Sequence, residues 1–207
     1  MIPEKKYKIA KFLSLVVLAA GVLVIIGWVF DIGILKSISL SWISMKFATA
    51  IAFVLSGVTL YFIVRALEGE FDKAQVVISI TSLIIILLMG TLFLSAILGV
   101  HTGIEDLFIK DAPDGTKSVV PGRPSVPTMF NFMLIGAAGI LTIMNPRRLQ
   151  PKLMIIGLII SAIGAVAIVG YCIDVPLLYY YIEGANSAIA FHTVALFVLL
   201  GIGLLCL

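Results

Sequence analysis

The stretch Thr49-Ala-Ile-Ala-Phe53-Val-Leu-Ser-Gly57 decides the fold, because its Thr-x-x-x-Phe-x-x-x-Gly spacing recurs later in the chain. Steps of four place the three residues on one face of a helix. There Thr can hydrogen-bond to backbone or to a neighbouring helix, and Gly lets a second helix approach closely. Recurrence at this spacing predicts three copies of one helical unit. The two further copies are Thr128, Phe132, Gly136 and Thr193, Phe197, Gly201.

Each copy of the motif lies within a long apolar run. The chain has 207 residues, of which 61% are hydrophobic and only 12% are charged, whereas a soluble domain carries about a quarter charged residues. An apolar helix of about 20 residues spans a bilayer core of about 30 Å, and the short alternating segments of a β-barrel are absent. We therefore predict an all-α integral membrane protein with six transmembrane helices at 10–30, 47–66, 75–99, 129–145, 153–173 and 188–207.

Paired in order, these helices form a single transmembrane domain, 1–207, of three repeated hairpins at 10–66, 75–145 and 153–207. The turns of the first and third hairpins agree as well. Gly27-Trp28-Val29-Phe30-Asp31-Ile32 and Gly170-Tyr171-Cys172-Ile173-Asp174-Val175 both read Gly, aromatic, two further residues, Asp and a β-branched residue. Gly99-Val100-His101, which we align with them, lacks both the aromatic residue and the Asp.

The longer connections have their own character. Segments 32–45 and 175–184 combine apolar residues with Trp or Tyr, which predicts short helices lying in the outer membrane interface. Loop 100–128 is more polar and contains four prolines. We expect it to be the most exposed and mobile part of the chain.

The distribution of charge predicts the orientation in the membrane. Five of the fourteen basic residues fall on the side of the long connections, together with seven acidic residues. The positive-inside rule then places both termini in the cytoplasm and the protein in the plasma membrane. Cys172 and Cys206 fall on opposite sides, too far apart for a disulfide. The other nine basic residues are Lys5, Lys6, Lys8, Lys11, Arg65, Lys73, Arg147, Arg148 and Lys152.

The third hairpin contains Gly170, Tyr171, Val175, Leu178, Tyr179, His192, Thr193, Val194, Ala195, Leu196, Phe197 and Gly201. In these residues it resembles the multi-helix membrane input regions of bacterial and archaeal sensor histidine kinases. In the second hairpin, Arg123-Pro124-Ser125 and Thr128-Met129-Phe130-Asn131-Phe132 are similar to the Pro-Asn-Thr-Ala-Leu-x-Phe pattern of that family, although Pro127 occupies the usual Asn position. The resemblance implies a signal-input role upstream of a cytoplasmic PAS or kinase module, so we expect the natural chain to continue beyond Leu207.

Candidate site residues are polar or aromatic groups at the outer ends of the helices, where Lys46, Glu105 and Asp106 also fall. Ionisable groups within a membrane are costly and indicate function. His192 is the strongest candidate because it lies within the sixth helix and titrates near neutral pH; the alternative is a packed, hydrogen-bonded histidine. The predicted ligand-binding residues are His192, Tyr171, Asp174, Trp28, Asp31 and His101.

A haem or a metal ion held by His101 and His192 is a further alternative. No ligand spacing supports such a site, and we predict no cofactor. The absence of nucleophile-elbow, Walker and HExxH motifs argues against an enzyme. Uninterrupted helices argue against a transporter. A net charge of +3 spread over tails and loops excludes nucleic-acid binding as a main role.

Two functions remain. The first is a sensory input domain that binds a small or lipid-soluble ligand near the outer face. The second is a structural or accessory subunit of a larger membrane complex, for which Leu207 would be the true end. The expected partners are the lipid bilayer, a second copy of the chain or other membrane subunits, and a cytoplasmic signalling module.

Overall fold

The computed structural model describes residues 3–37, 43–106, 120–184 and 186–207. Within these ranges the regular structure is helical, with short 3₁₀ turns at Ile104–Asp106 and Pro176–Tyr179. The α-helices are α1 (Pro3–Val29), α2 (Gly33–Lys36), α3 (Phe47–Leu67), α4 (Phe71–Leu98), α5 (Val126–Met144), α6 (Leu149–Cys172) and α7 (Phe191–Leu205).

Five of these helices, α1, α3, α4, α5 and α6, are long and apolar enough to cross a membrane. The predicted all-α class and the character of a multi-pass membrane protein are therefore confirmed at this level. The sixth predicted segment is shorter than 188–207, because α7 is a helix of 15 residues. Residues 187–190 precede it without helical structure and are buried.

The predicted outer elements are present in part. Segment 32–45 contains α2, and residues 38–42 lie outside the described part of the chain. Segment 175–184 contains the 3₁₀ turn Pro176–Tyr179. Of loop 100–128, which we predicted to be exposed and mobile, residues 107–119 lie outside the described part.

Helices α3, α5 and α7 meet at the centre of the bundle through the phenylalanines of the recurring motif. The ring centroids of Phe53 and Phe132 are 4.8 Å apart, and each lies 4.9 Å from that of Phe197. All three rings are fully buried. Aromatic pairs in tilted or edge-to-face contact are more favourable than their buried area alone provides, so this cluster joins the three helices.

Helices α1, α4 and α6 pack against the outside of this centre, each close to a motif glycine. A Cβ added at Gly57 would lie 2.7 Å from a backbone oxygen of α1, and one at Gly136 would lie 2.6 Å from a side chain of α4. At Gly201 it would overlap the side chain of Ser161 in α6. Glycine is therefore required at each crossing for the helices to come this close.

Small serines of the outer helices lie at the same crossings. Ser14 of α1, Ser82 of α4 and Ser161 of α6 each contribute atoms within 3.3 Å of the Cβ position of the facing motif glycine. Sequence comparison missed these serines, because the number of residues between serine and glycine differs from one pair to the next.

Polar contacts define the two ends of the bundle. Lys11 at the start of α1 forms an ion pair of 2.5 Å with Glu68 just after α3. Gln150 at the start of α6 donates a hydrogen bond of 3.4 Å to the hydroxyl of Tyr7. The start of α1, the end of α3 and the start of α6 therefore share one end. We call the opposite end, where α3, α5 and α7 begin, the turn end.

Candidate functional site

The first and third turns of the chain have the same backbone geometry. Asp31 and Asp174 adopt the left-handed conformation, with φ of 54° and 51°, which Asp tolerates better than most side chains. The amide of the next residue donates a hydrogen bond to the carbonyl of Gly27 at 2.8 Å in the first turn and of Gly170 at 2.9 Å in the third. The residues that the two turns share in sequence therefore adopt the same backbone conformation in both turns.

The aromatic residue of each turn fastens the segment that leads into the next helix. The indole N–H of Trp28 donates to the carbonyl oxygen of Met45 at 2.8 Å. The hydroxyl of Tyr171 donates to the carbonyl oxygen of Ile189 at 2.6 Å. Both acceptors stand four residues before a motif threonine. The two turns thus hold the starts of α3 and α7 by equivalent neutral hydrogen bonds.

The middle turn keeps this backbone pattern but uses other residues. Gly99 has φ of 65°, and the amide of Val100 donates to the carbonyl oxygen of Ser95 at 3.1 Å. Ser95 therefore corresponds to Gly27, and Gly99 corresponds to the two aspartates. This corrects our alignment of Gly99 with Gly27. Ala96 then stands where the other turns have an aromatic residue, which removes the donor that would fasten the start of α5.

An ion pair replaces that donor. The side chains of Arg123 and Glu105 are 11% and 3% exposed, and their closest N–O distance is 2.7 Å. The same guanidinium nitrogen of Arg123 donates to the Ser95 hydroxyl at 2.8 Å and to the Val100 carbonyl oxygen at 2.7 Å. Arg123 therefore joins the end of α4 to the segment before α5.

This network sets the charge state of the carboxylate. Burial by itself would raise the pKa of Glu105, but hydrogen bonds from Arg123 and from Ser95 favour the ionised form and outweigh burial. The pKa of Glu105 falls from 4.5 to about 2. The carboxylate is therefore charged at any physiological pH.

The starts of α3, α5 and α7 converge on a small cavity, which we call the three-helix cavity. Lys46, Ser125 and Ala190 are the N-cap residues of these helices, and all three line the cavity. None of the three makes a side-chain capping bond. The volume is about 10 Å³, close to the minimum that holds one water molecule.

The motif threonines lie three residues after these N-caps and also line the cavity. Thr49, Thr128 and Thr193 are each 2% exposed. The hydroxyl of Thr128 bonds to that of Ser125 at 2.7 Å. Within the described residues, the hydroxyls of Thr49 and Thr193 have no hydrogen-bond partner. The hydroxyls of these two nearly buried residues therefore keep unused donor and acceptor capacity at the cavity.

None of the six predicted ligand-binding residues belongs to the lining of this cavity. Trp28 and Tyr171 fasten segments that line it. Asp31 and Asp174 form the exposed tips of their turns, and the exposed Asp31 pairs with Lys36 at 2.5 Å. The hydrogen bond and charge of Lys36 lower the pKa of Asp31.

The two histidines differ from each other. His101 is exposed beyond the end of α4, whereas His192 is half-buried at the start of α7. The Nε2 atom of His192 is buried and has no hydrogen-bond partner among the described residues. In that part of the chain, no group of three His, Cys, Asp or Glu side chains is placed to hold a metal ion.

Sequence reasoning missed the two features that build the site. The first is the assembly of Ser95, Glu105 and Arg123, for which the sequence offers no motif. The second is the cavity itself, because the threonines were interpreted as packing residues. A signal was present in the basic residues Lys46 and Arg123, which precede a motif threonine by three and five residues.

The chain stands apart from proteins of known family in every comparison. No family model matches it, and no curated protein or solved structure is significantly similar to it. The residues and geometry described above therefore carry the functional argument alone.

Proposed function

We propose that this chain is a membrane-embedded sensory input domain that binds a small ligand in the three-helix cavity. In this proposal the five long helices and the shorter α7 form three hairpins that cross the membrane six times, with both termini in the cytoplasm and the turn end outside. Contacts among the start of α1, the end of α3 and the start of α6 support that arrangement. The 15 residues of α7 extend about 22 Å at 1.5 Å per residue, and the segment before it reaches the outer face without helical structure.

The observation that carries the proposal is the pair of unpartnered hydroxyls of Thr49 and Thr193. Buried polar groups are almost always hydrogen-bonded, and exceptions indicate a bound molecule or a functional role. These two lie where three helices meet, 2% exposed and facing a cavity. A ligand that bonds to both would connect α3 to α7.

Helix α7 offers a path from the cavity to the cytoplasmic end. Thr193 lies in its first turn, Phe197 belongs to the central aromatic cluster, and Gly201 contacts α6 closely. A helix packed this tightly moves as a rigid body rather than by bending. Displacement at Thr193 is therefore expected to appear near Cys206, and a ligand signals only by favouring one of two such positions.

The orientation is tested with the two natural cysteines. Cys172 ends α6 at the turn end and is exposed, and Cys206 caps α7 at the other end. A membrane-impermeant maleimide added to intact cells is expected to label the Cys206→Ser variant, because Cys172 remains there and faces outward. The Cys172→Ser variant, which keeps only Cys206, is expected to stay unlabelled until the cells are opened. Labelling in the reverse pattern would overturn the orientation.

The sensory role is tested without knowing the ligand. Thr193→Ile adds bulk to the cavity, and its matched control Thr142→Ile alters a buried threonine at the other end of α5. Spin labels are placed at Glu4→Cys and Cys206, with Cys172→Ser, in nanodiscs. Thr193→Ile is expected to shift the distance between the labels, measured by pulsed electron resonance, and Thr142→Ile to shift it less. Unchanged distances in Thr193→Ile would reject coupling and favour a structural subunit instead.

A further inference from the structure

The end of the bundle opposite the turn end has more basic charge than its own carboxylates neutralise. It carries four carboxylates, and three of them are already paired with basic side chains at the same end. These pairs are Glu4 with Lys8 at 2.7 Å, Glu68 with Lys11 at 2.5 Å, and Glu70 with Arg65. The basic side chains left without a carboxylate partner in the described part of the chain are Lys5, Lys6, Lys73, Arg147, Arg148 and Lys152.

A tertiary contact brings most of these cations together. The side-chain amide of Gln150, in the first turn of α6, donates a hydrogen bond of 3.4 Å to the hydroxyl of Tyr7 in α1. Two of the unpaired cations lie just before Tyr7, and three lie within three residues of Gln150. The one carboxylate in residues 3–8 and 145–152 is that of Glu4, which bonds to Lys8. We call this group the basic corner, and its members are Lys5, Lys6, Arg147, Arg148 and Lys152.

The basic corner is accessible to a ligand. Four of its five residues are exposed, and Lys6 is half-buried. Like charges on neighbouring segments repel one another, and an anion bound among them lowers that cost. The guanidinium of Arg can donate two hydrogen bonds to one phosphate group, and the ammonium of Lys adds a compact charge. The side chains of the corner therefore fit a phosphate group.

Exposed apolar side chains begin directly beside the basic corner. Ile155 and Leu158 of α6 are 58% and 59% exposed, and Phe12 of α1 is 65% exposed. Ile155 follows Lys152 by three residues, which is about 4.5 Å along the helix axis. In a bilayer this spacing places the cations in the headgroup layer when the apolar side chains lie in the hydrocarbon core. The phosphate of a lipid is held at this depth by its own acyl chains, whereas a free phosphate is not.

We propose that the basic corner binds the headgroup of an anionic phospholipid, whose acyl chains lie along the exposed apolar side chains of α1 and α6. Arg147 and Arg148 donate to the phosphate oxygens, and the lysines of the corner neutralise the remaining charge. Such a lipid connects α1 to α6 at the place where Gln150 bonds to Tyr7. This inference concerns the end opposite the three-helix cavity and does not rest on the sensory role.

The probe is phosphatidylglycerol, compared with phosphatidylcholine, which has no net charge. The purified chain is delipidated in a neutral detergent and mixed with both lipids at equal concentration, and the bound lipids are measured by native mass spectrometry. Each cation near a lipid phosphate is expected to change the affinity about fivefold. The wild type should therefore retain phosphatidylglycerol in an excess of more than about 25-fold over phosphatidylcholine.

Paired variants separate the basic corner from a general effect of net charge. Arg147→Gln with Lys152→Gln removes two exposed charges that have no partner within the described ranges, so the fold should persist. The preference for phosphatidylglycerol is expected to fall by about 25-fold in this variant. Lys110→Gln with Lys117→Gln is the matched control, because it removes the same charge from loop 100–128. It is expected to keep the preference.

Three outcomes would overturn the inference. The first is equal retention of the two lipids by the wild type, and the second is an equal loss of preference in the control variant. The third is displacement of phosphatidylglycerol by inorganic phosphate at the same concentration and fixed ionic strength, which would identify a free anion as the ligand. None of these results affects the distance measurement of the sensory role, and an immobile α7 would leave the lipid site in place.

Discussion

The middle turn and the two turns that flank it along the chain reach one backbone geometry by different chemistry. In the first and third turns a neutral aromatic donor, Trp28 or Tyr171, holds the segment before the next helix. In the middle turn an almost fully buried ion pair between Arg123 and Glu105 performs the same task. The three turns therefore share a geometric requirement, which is that the segment before the next helix is held in place. They do not share the residue type that holds it.

The two solutions respond differently to their surroundings. Neutral hydrogen bonds are nearly independent of pH and salt, whereas a buried ion pair is costly to desolvate and strongly destabilising when one member is removed. Arg123 also lines the three-helix cavity, as do Met45 and Ile189. All three turns therefore reach the same site, and only the middle turn brings a charge to it.

The largest effect is expected from Arg123→Met, which leaves Glu105 buried without its partner. We expect the free energy of unfolding, measured by SDS titration in mixed micelles, to fall by about 3–5 kcal/mol. The control is Asp31→Asn in the first turn, which removes the charge of a side chain that is 90% exposed and keeps Lys36 in place. An exposed pair contributes little, so this control should be close to the wild type. Equal losses in both variants would remove the distinction between the turns.

Acid should act most strongly on the middle turn, because the carboxylate of its ion pair is buried whereas Asp31 of the first turn is exposed. The pKa of Glu105 is about 2 when folded, below its ordinary 4.5, so the pair contributes fully above pH 4.5 and its contribution is lost as pH falls toward 2. The loss is at most about 3.5 kcal/mol, because the pKa shift from 4.5 to about 2 corresponds to about 1.4 kcal/mol per pKa unit. Glu105→Gln should unfold with a flatter pH dependence in this window, measured by the same titration. A slope identical to that of the wild type would contradict the assignment.

Much of the fold could be predicted from sequence because lipid imposes simple rules. Apolar length alone indicated the membrane helices, and a spacing of four gave the helix face that carries Phe53, Phe132 and Phe197. The number of residues between each serine and the motif glycine that it faces differs among the three copies of the motif. For this reason the serines could not be identified from a common spacing. The length of α7 was overestimated, because an apolar composition does not distinguish helix from the buried non-helical residues 187–190.

The site could be predicted only in outline. Trp28 and Tyr171 were identified from their repeated place, but their partners are backbone carbonyls, which leave no trace in sequence. The Glu105–Arg123 pair spans 18 positions and has no counterpart in the other hairpins, so neither periodicity nor repetition indicates it. The cavity depends on three helix starts meeting in space, which is a tertiary property.

A smaller effect is expected from adding one methyl group to a flanking turn. A Cβ at Gly170 would lie 2.6 Å from the Cβ of Leu178 and 2.9 Å from the amide of Tyr179. Gly170→Ala should therefore cost about 1–3 kcal/mol by overpacking, seen as a lower SDS midpoint. Ser95 holds the same place in the middle turn and carries a side chain there. Gly90→Ala in α4 is the control, because nothing lies within 4 Å of that position, and a comparable loss there would indicate a generic helix effect.

The smallest effect tests whether the turns act together. Tyr171→Phe removes one hydrogen bond to Ile189 and keeps the ring stacked on Tyr179, at 4.4 Å between centroids. It should cost about 1 kcal/mol, and Tyr181→Phe is the control, since its hydroxyl has no hydrogen bond within the described residues. In the double variant Tyr171→Phe with Arg123→Met, the loss in the free energy of unfolding should differ from the sum of the two single losses. We expect a difference of more than about 0.5 kcal/mol, in either direction, if both turns act through the shared cavity. Strict additivity would mean that the turns are independent ties and that the cavity does not couple them.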